Sequence, residues 1–318
     1  MFLRPTLRFV PDGTRIRFMR GRFLGIATSA VLSTLSVVLF FYPGLNLGID
    51  FAGGIVMEVH TEGPANLAKI RAGLTAQGLR EPGVQRFGAP DDVLVRMEAQ
   101  PNAKATQAVV NKVRAALDTA QPGSRVVRTD AVGPSVSAEL YRNGLLALGI
   151  SLLMILVYIW FRFEWQFAVG AVVTLLLDIT KTIGFLALTR FEFDLVMVAA
   201  ILTVLGYSTN DKVVVYDRVR ENLRKYKTMP LRDLIDLSIN ETLNRTLGTS
   251  ATVFLASLPL ALFGGATLSG FAWVMLLGIV VGTSSSIFIA APILLFLGEH
   301  RLRRDAQAPG KAAAKASP

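Results

Sequence analysis

Residues 195–225, LVMVAAILTVLGYSTNDKVVVYDRVRENLRK, place three polar side chains, Asn210, Asp211 and Lys212, within a helix that is still apolar, since Val213, Val214 and Val215 follow them. A carboxylate at that depth costs about 2.5–3.5 kcal/mol on insertion scales. Side chains that carry such a cost usually face a bundle interior and mark the path of an ion or substrate. The chemistry open to Asp211 is taking and releasing a proton. The competing reading is that Asp211 and Lys212 stand at the membrane edge and snorkel to water.

Other apolar stretches repeat the pattern. Asp178 lies about 18 Å along its helix from Gln166 at 1.5 Å per residue, near mid-membrane. Thr174, Asp178, Lys181 and Thr182 share one helical face. Asp178 and Lys181 can form an internal ion pair, which lowers the insertion cost; the alternative is that the pair is structural glue. Thr203, Tyr207 and Asp211 recur every four residues on one face. Arg245 opens a later apolar run, with Thr249 and Thr252 beyond it. Its depth matches that of Asp211, so pairing across helices is open, as is a role as an inner-leaflet anchor. Gly278, Gly282 and Ser286 form a small-xxx-small face, suited to close helix packing rather than to chemistry.

These residues must be positioned by membrane helices. Of the 318 residues, 52% are hydrophobic and 18% charged, with a mean hydropathy of +0.48. The apolar residues come in runs of about 20, enough to span a bilayer as helices. The formal charge of +10 would suggest nucleic acid on a soluble protein, but the clustering of Lys and Arg argues for membrane topology instead. With no cysteine there is no disulfide, thiolate metal site or Cys nucleophile. His60 and His300 fall on opposite sides of the expected membrane, which argues against a His-based metal site or relay. No P-loop, H-E-x-x-H or supported G-x-S-x-G motif occurs. The expectation is therefore no enzyme, no cofactor and no metal.

The expected order is a basic N-terminus (1–22), a first span (23–42), a polar region (43–142), five further spans (143–298) and a basic, disordered tail (299–318). The second span is expected from about Gly144 to Phe161, and the third from about Gln166 to Leu188. The fourth runs from Leu195 to about Val215, the fifth from about Arg245 to Phe263, and the sixth from Phe271 to Leu297. A polar segment with an amphipathic stretch, Leu231 to Leu243, separates the fourth from the fifth. The region 43–142 alternates like strands at 55–61, 84–87, 93–97 and 125–129, with helical spacing at 65–77 and 105–117. That order, β-α-β-β-α-β, is the ferredoxin-like split-βαβ arrangement. The fold class is thus an α-helical membrane protein of six transmembrane helices, with a small α+β ferredoxin-like domain between the first and second. Arg4, Arg8, Arg15, Arg17, Arg20 and Arg22 face one acid, Asp12, in the first segment, so both termini are expected in the cytoplasm and 43–142 in the periplasm.

Four motifs, in order, carry a family resemblance. LGIDFAGGIVMEV (Leu47–Val59) resembles the G-I-D-F-x-G-G signature of the bacterial SecD/SecF protein-export family, through Gly48, Asp50, Phe51, Gly53 and Gly54. AVGPSVSAEL (Ala131–Leu140) resembles the segment before that family's second span. Residues 191–222 are similar to the core motif of its SecF branch, and Asn244-Arg245-Thr246 to the start of that branch's fifth span. The resemblance implies half of an RND-type transporter in the bacterial inner membrane. It implies pairing with SecD to complete a twelve-helix bundle, association with the SecY/SecE/SecG channel and YajC, and proton-driven assistance to unfolded polypeptides during late translocation. Asp211 corresponds to the family's membrane carboxylate and Arg245 to its arginine. Lys212 stands where the family commonly has Thr, and Leu177-Asp178 where it commonly has His-Asp; Lys181 is an addition. The alternatives are half of a small-molecule exporter of the RND class and a non-transporting assembly scaffold.

Overall fold

The computed structural model describes residues 10–11, 14–79 and 82–297. Arg4, Arg8, Asp12, His300 and the tail at 299–318 lie outside the described residues. Among the described residues six helices are long and apolar enough to cross a membrane, so the chain is a multi-pass membrane protein.

The first span is α1 (Arg22–Phe41), preceded by a 3-10 turn at Phe18–Gly21. That approach is pinned to a distant helix: the Ile16 N–H donates to Asn240, Asn240 donates back to the Ile16 carbonyl, and the Met19 N–H donates to Asp236. Next come β1 (Asn46–Leu47), the single turn α2 (Ile49–Ala52) and β2 (Gly54–His60). They lead into α3 (Leu67–Ala76), β3 (Gly83–Phe87), β4 (Ala89–Met97), α4 (Ala103–Ala120) and β5 (Arg125–Val132). Asn66 and Asn102 cap α3 and α4, each accepting from the N–H three residues on. The sheet order is β3-β4-β2-β5, antiparallel throughout, as the split-βαβ arrangement requires. Ile55, Met57, Val59, Val93 and Val95 from the sheet form one core with Ile70, Leu74, Val113 and Leu117 from the two helices. Three of the four strands run longer than the sequence pattern predicts: β4 begins at Ala89 because the turn before it tightens to Gly88, where φ is +82°.

Five further spans follow. Helix α5 (Pro134–Arg162) begins about ten residues before the predicted start at Gly144, because Pro134 occupies its first turn and nothing breaks the helix after it. Helix α6 (Trp165–Thr189) ends at Arg190, in the left-handed conformation. The acidic turn after it is β6 (Glu192–Phe193), which pairs in parallel with β1. Helix α7 (Leu195–Lys225) runs well past the predicted end at Val215. Helix α8 (Leu231–Phe263) absorbs both the amphipathic stretch and the fifth span. The predicted polar segment is therefore mostly two helix ends, with 226–230 between them. Its polar side chains bond across the helical hairpin, Arg218 to Glu241 at 2.7 Å and Asn222 to Ser238 at 3.0 Å. The last span is α9 (Gly265–Ser285), a π-helical turn at Ser286–Ala290 and α10 (Ala291–Phe296). Helices α6, α7 and α9 are the most buried, while α1, α5 and α8 expose broad apolar faces.

Candidate functional site

The two carboxylates predicted inside the spans, Asp178 and Asp211, each centre a polar cluster between α6, α7, α8 and the last span. Asp178 of α6 is fully buried. Its Oδ2 accepts three hydrogen bonds: from Lys212 Nζ at 2.9 Å, Ser208 Oγ at 2.7 Å and Ser285 Oγ at 2.8 Å. Lys212 Nζ also reaches Ser208 Oγ. Lys181 Nζ stands 3.7 Å from Oδ1, within ion-pair range. One carboxylate is thus held by two ammonium groups and two hydroxyls in a site without bulk water, with its Oδ1 accepting no hydrogen bond. Thr174 and Thr182 complete the buried face, with their hydroxyls turned back onto backbone carbonyls of their own helix.

Asp211 of α7 is also buried, yet it has no cationic partner among the described residues. Thr246 Oγ1 of α8 donates to its Oδ1 at 2.8 Å, and Ser286 Oγ donates to its Oδ2. Ser286 Oγ lies 2.9 Å from the Thr283 carbonyl as well. Such a cage serves either protonation state. A carboxylate accepts from both hydroxyls, whereas a carboxylic acid can donate to Ser286, which then donates to Thr283. A chain of hydroxyls runs alongside: Tyr207 Oη to Ser250 Oγ at 2.5 Å, and Ser250 Oγ to Thr283 Oγ1 at 2.8 Å.

Neither Arg245 nor Lys212 is hydrogen-bonded to Asp211. Arg245 does not pair with Asp211: its side chain is exposed, and the residue that reaches the carboxylate is its neighbour, Thr246. Lys212 makes its hydrogen bond and ion pair with Asp178, and reaches Asp211 only through its charge. Consecutive helical residues point about 100° apart, so Lys212 turns toward α6 and Asp178. Asn210 and Thr203 are exposed, with the Thr203 hydroxyl bonded to the Ala199 carbonyl. Gly278 and Gly282 let α9 approach α7 closely. A side chain at Gly278 would overlap Val204, and a Cβ at Gly282 would lie 3.1 Å from Ser208. Ser286, read from sequence as a packing residue, is instead a hydrogen-bond partner of Asp211.

The G-I-D-F-x-G-G segment joins the α+β domain to the bundle. Asp50 Oδ2 accepts from the Leu195 N–H at 3.1 Å, and Asp194 Oδ1 from the Met197 N–H at 2.8 Å, so two carboxylates sit at the N-terminus of α7. Phe51 packs against Phe193 and Tyr141. Gly48 donates to the Phe193 carbonyl at 2.9 Å. Gly53 and Gly54 have φ of +71° and +128°, and a Cβ on Gly54 would stand 2.6 Å from the Met97 carbonyl, so the pair forms the glycine-dependent turn into β2. The family model for the C-terminal region of the SecD/SecF protein export membrane proteins matches residues 112–300.

The chain belongs to the SecD/SecF family.

The SecD/SecF GG motif matches separately at residues 38–65. The chain is 43% identical over 305 residues to a protein translocase subunit SecF of Cereibacter sphaeroides, covering 93% of each. It is 45% identical to a protein translocase subunit SecDF of Brucella abortus, where it covers 94% of its own length and 39% of that protein. The crystal structure of SecDF from Thermus thermophilus superposes with a TM-score of 0.81 at 31% identity, over 90% of this chain and 39% of that one. Within this SecD/SecF-family chain, Ser208, Thr246, Ser285 and Ser286 are the site residues that sequence reasoning missed or misread. The run Ser284-Ser285-Ser286 in the middle of an apolar span was the available signal. As for metals, His60, Asp91 and Asp92 bring three ligand-type atoms together at the ends of β2 and β4. The sequence reading set His60 only against His300; its partners are these acids. The group is solvent-exposed, and His60 Nδ1 is engaged by Asp92 at 2.8 Å.

Proposed function

We propose that this chain is the SecF-type accessory subunit of the Sec protein-export translocase. In this reading it pairs with SecD and uses the proton-motive force to assist late translocation of unfolded polypeptides across the bacterial inner membrane. The SecY/SecE/SecG channel and YajC are its further partners. Residues 43–142 lie in the periplasm, and both termini lie in the cytoplasm.

The observation that carries the reading is the placement of Asp211 on α7, the helix whose first turn is tied to the α+β domain through Asp50. A change in the charge of Asp211 alters its bonds to Thr246 and Ser286, and α7 connects that change directly to the domain about 24 Å away at 1.5 Å per residue. One charge crossing 100 mV is worth about 2.3 kcal/mol, enough to bias a two-state element more than tenfold. Between the sheet and the bundle is a cleft of about 900 Å³, lined by Glu58, Arg128 and Asp130 on one side and Arg190 and Asp194 on the other. It is the place in this reading where domain and bundle move relative to one another.

Pairing with a second six-span half is supported by polar groups left exposed along the spans. Arg245, Thr249 and Thr252 line one face of α8, and Thr203 and Asn210 line one face of α7, on either side of the Tyr207–Ser250 contact. Such stripes are costly against lipid and suit a protein interface. In this arrangement Arg245 belongs to the interface, where it biases Asp211 from the partner's side. The test is Asp211→Asn in proton-driven translocation into inverted membrane vesicles. Loss of the proton-dependent component at normal protein levels is the expected result, and unchanged export would sink the coupling role.

A further inference from the structure

A second polar feature lies on the opposite side of Asp178 from Asp211. Helix α1 presents Ser29, Ser33 and Ser36 toward the bundle at helical spacing, all nine-tenths or more buried. Ser36 covers Gly184 of α6, and Gly25 lies under Phe288 in the π-helical turn. Between these contacts the seam of α1, α6 and α9 holds a half-open groove of about 110 Å³, lined among others by buried Ser29 and Lys181 and by Thr28 and Ser284, which are exposed. A water molecule takes about 30 Å³ in the liquid, so the space admits a few.

The polar groups around this space complement one another. The Thr28 hydroxyl donates to the Gly25 carbonyl at 3.0 Å, and the Ser284 hydroxyl to the Val281 carbonyl at 2.9 Å. Both oxygens therefore offer lone pairs to the groove. Lys181 offers N–H donors, and Asp178 Oδ1, at 3.7 Å, is too far to take one as a hydrogen bond. Ser29 Oγ is buried and has no hydrogen-bond partner, and neither has Asp178 Oδ1. Donors and acceptors that face a shared space, with buried polar atoms left over, make a hydration site.

We propose that the α1–α6–α9 seam is a hydrated site. Its waters bridge the Lys181 ammonium to Ser29 and give Asp178 an access route separate from the hydroxyl cage of Asp211. The ligand class is water itself. A water accepts from Lys181 and donates to Ser29, Thr28 or Ser284, roles that an apolar occupant cannot fill. Lys181 is then the link between a carboxylate with no bulk solvent around it and an aqueous branch entering beside the first span.

The chain has no cysteine, so an introduced thiol is the one thiol it carries and is read on this chain after separation from its partner. Ser29→Cys and Ser284→Cys, nearly isosteric changes on opposite walls, are made in the full chain with its partner in membrane vesicles. Each is pulsed with silver ion, then unfolded and treated with maleimide to count the thiols left free. Silver reacts with a thiolate, which forms only where water reaches the sulfur. Val31→Cys, on the apolar outer face of the same helix, is the comparison. The expected result is silver protection at least about tenfold faster at both wall positions than at 31. Equal rates at the three positions overturn the proposal. If Ser29→Cys does not assemble, Ser284→Cys and Thr28→Cys carry the same comparison. The labelling reads water access alone, so its outcome is separate from that of the Asp211→Asn export assay.

Discussion

Ser285 and Ser286, adjacent where α9 passes into its π-helical turn, hydrogen-bond to different carboxylates: Ser285 to Asp178 on α6 and Ser286 to Asp211 on α7. One turn of α9 is therefore held from two sides. The two carboxylates and two lysines of the region sum to no net formal charge, although the ion pairing is confined to Asp178.

Ser285→Ala and Ser286→Ala are each expected to lower stability by about 1.5–3 kcal/mol, the range for hydrogen bonds to charged groups. Because the two serines share a backbone turn, the double variant should depart from additivity by about 0.5 kcal/mol or more. Thermal denaturation of the purified chain and its two single and one double variants closes the cycle. Strict additivity would show that the two carboxylates sense α9 independently.

Lys212→Met removes the nearest cation from a fully buried carboxylate. The expected loss is about 3–5 kcal/mol, seen as a fall in membrane level and melting temperature. Asp178→Leu combined with Lys181→Met and Lys212→Met replaces the whole ion cluster by apolar groups and should recover most of that loss. If the triple variant is as unstable as Lys212→Met alone, the cluster is not acting as a unit.

At the head of α7, Asp194→Ala should cost about 0.5–2 kcal/mol through loss of the cap, and Asp194→Asn much less. Burial holds the Asp194 carboxyl above its ordinary range, against the opposing hydrogen bond from the Met197 N–H. The folded state thus keeps this proton at pH values where the unfolded chain has lost it. The associated stability is present at low pH and is lost as pH rises from the unfolded through the folded value. Asn at this position should flatten that part of the stability profile, measured by denaturation across the acid range.

The hydrogen bond that His60 donates to Asp92 holds the imidazole above its ordinary value of about 6.5, helped by the charge of Asp91 and opposed by desolvation. Any stability this pairing adds is present below the unfolded value and fades as pH rises through the folded one. NMR titration of the imidazole should give a midpoint above that of a free histidine, and Asp92→Asn should bring it down. An unchanged midpoint would mean that the contact is not populated in solution.

The spans and the order of strands and helices were readable because their periods are strong: apolar runs of about 20 residues, alternation at 55–61, and three- to four-residue spacing in 105–117. The helical ends 216–225 and 231–243 were not readable as part of the spans. The polar residues of 216–225 look like a loop, and 231–243 like a separate amphipathic stretch, until Arg218 and Asn222 find Glu241 and Ser238 on the neighbouring helix. The site divides the same way. Asp178 and Asp211 stand out as charges in apolar runs, but their partners are hydroxyls, which leave little mark on hydropathy. Thr246 is 35 residues from Asp211, and Ser285 is 107 from Asp178. Nothing local in the sequence tells Lys212 which carboxylate it faces; the helix rotation decides it.

The clasp between Ile16 and Asn240 bears on the order of assembly. The two residues are 224 positions apart, and both hydrogen bonds need the turn of α8 that carries Asn240. At about 5–20 residues per second of synthesis, the first helix waits roughly 10–45 s before its entrance can be fastened. Until then it has lipid, partner or insertion machinery for company, and its approach segment is free to reposition. The final placement of the first helix is thus among the later events in the life of the nascent chain.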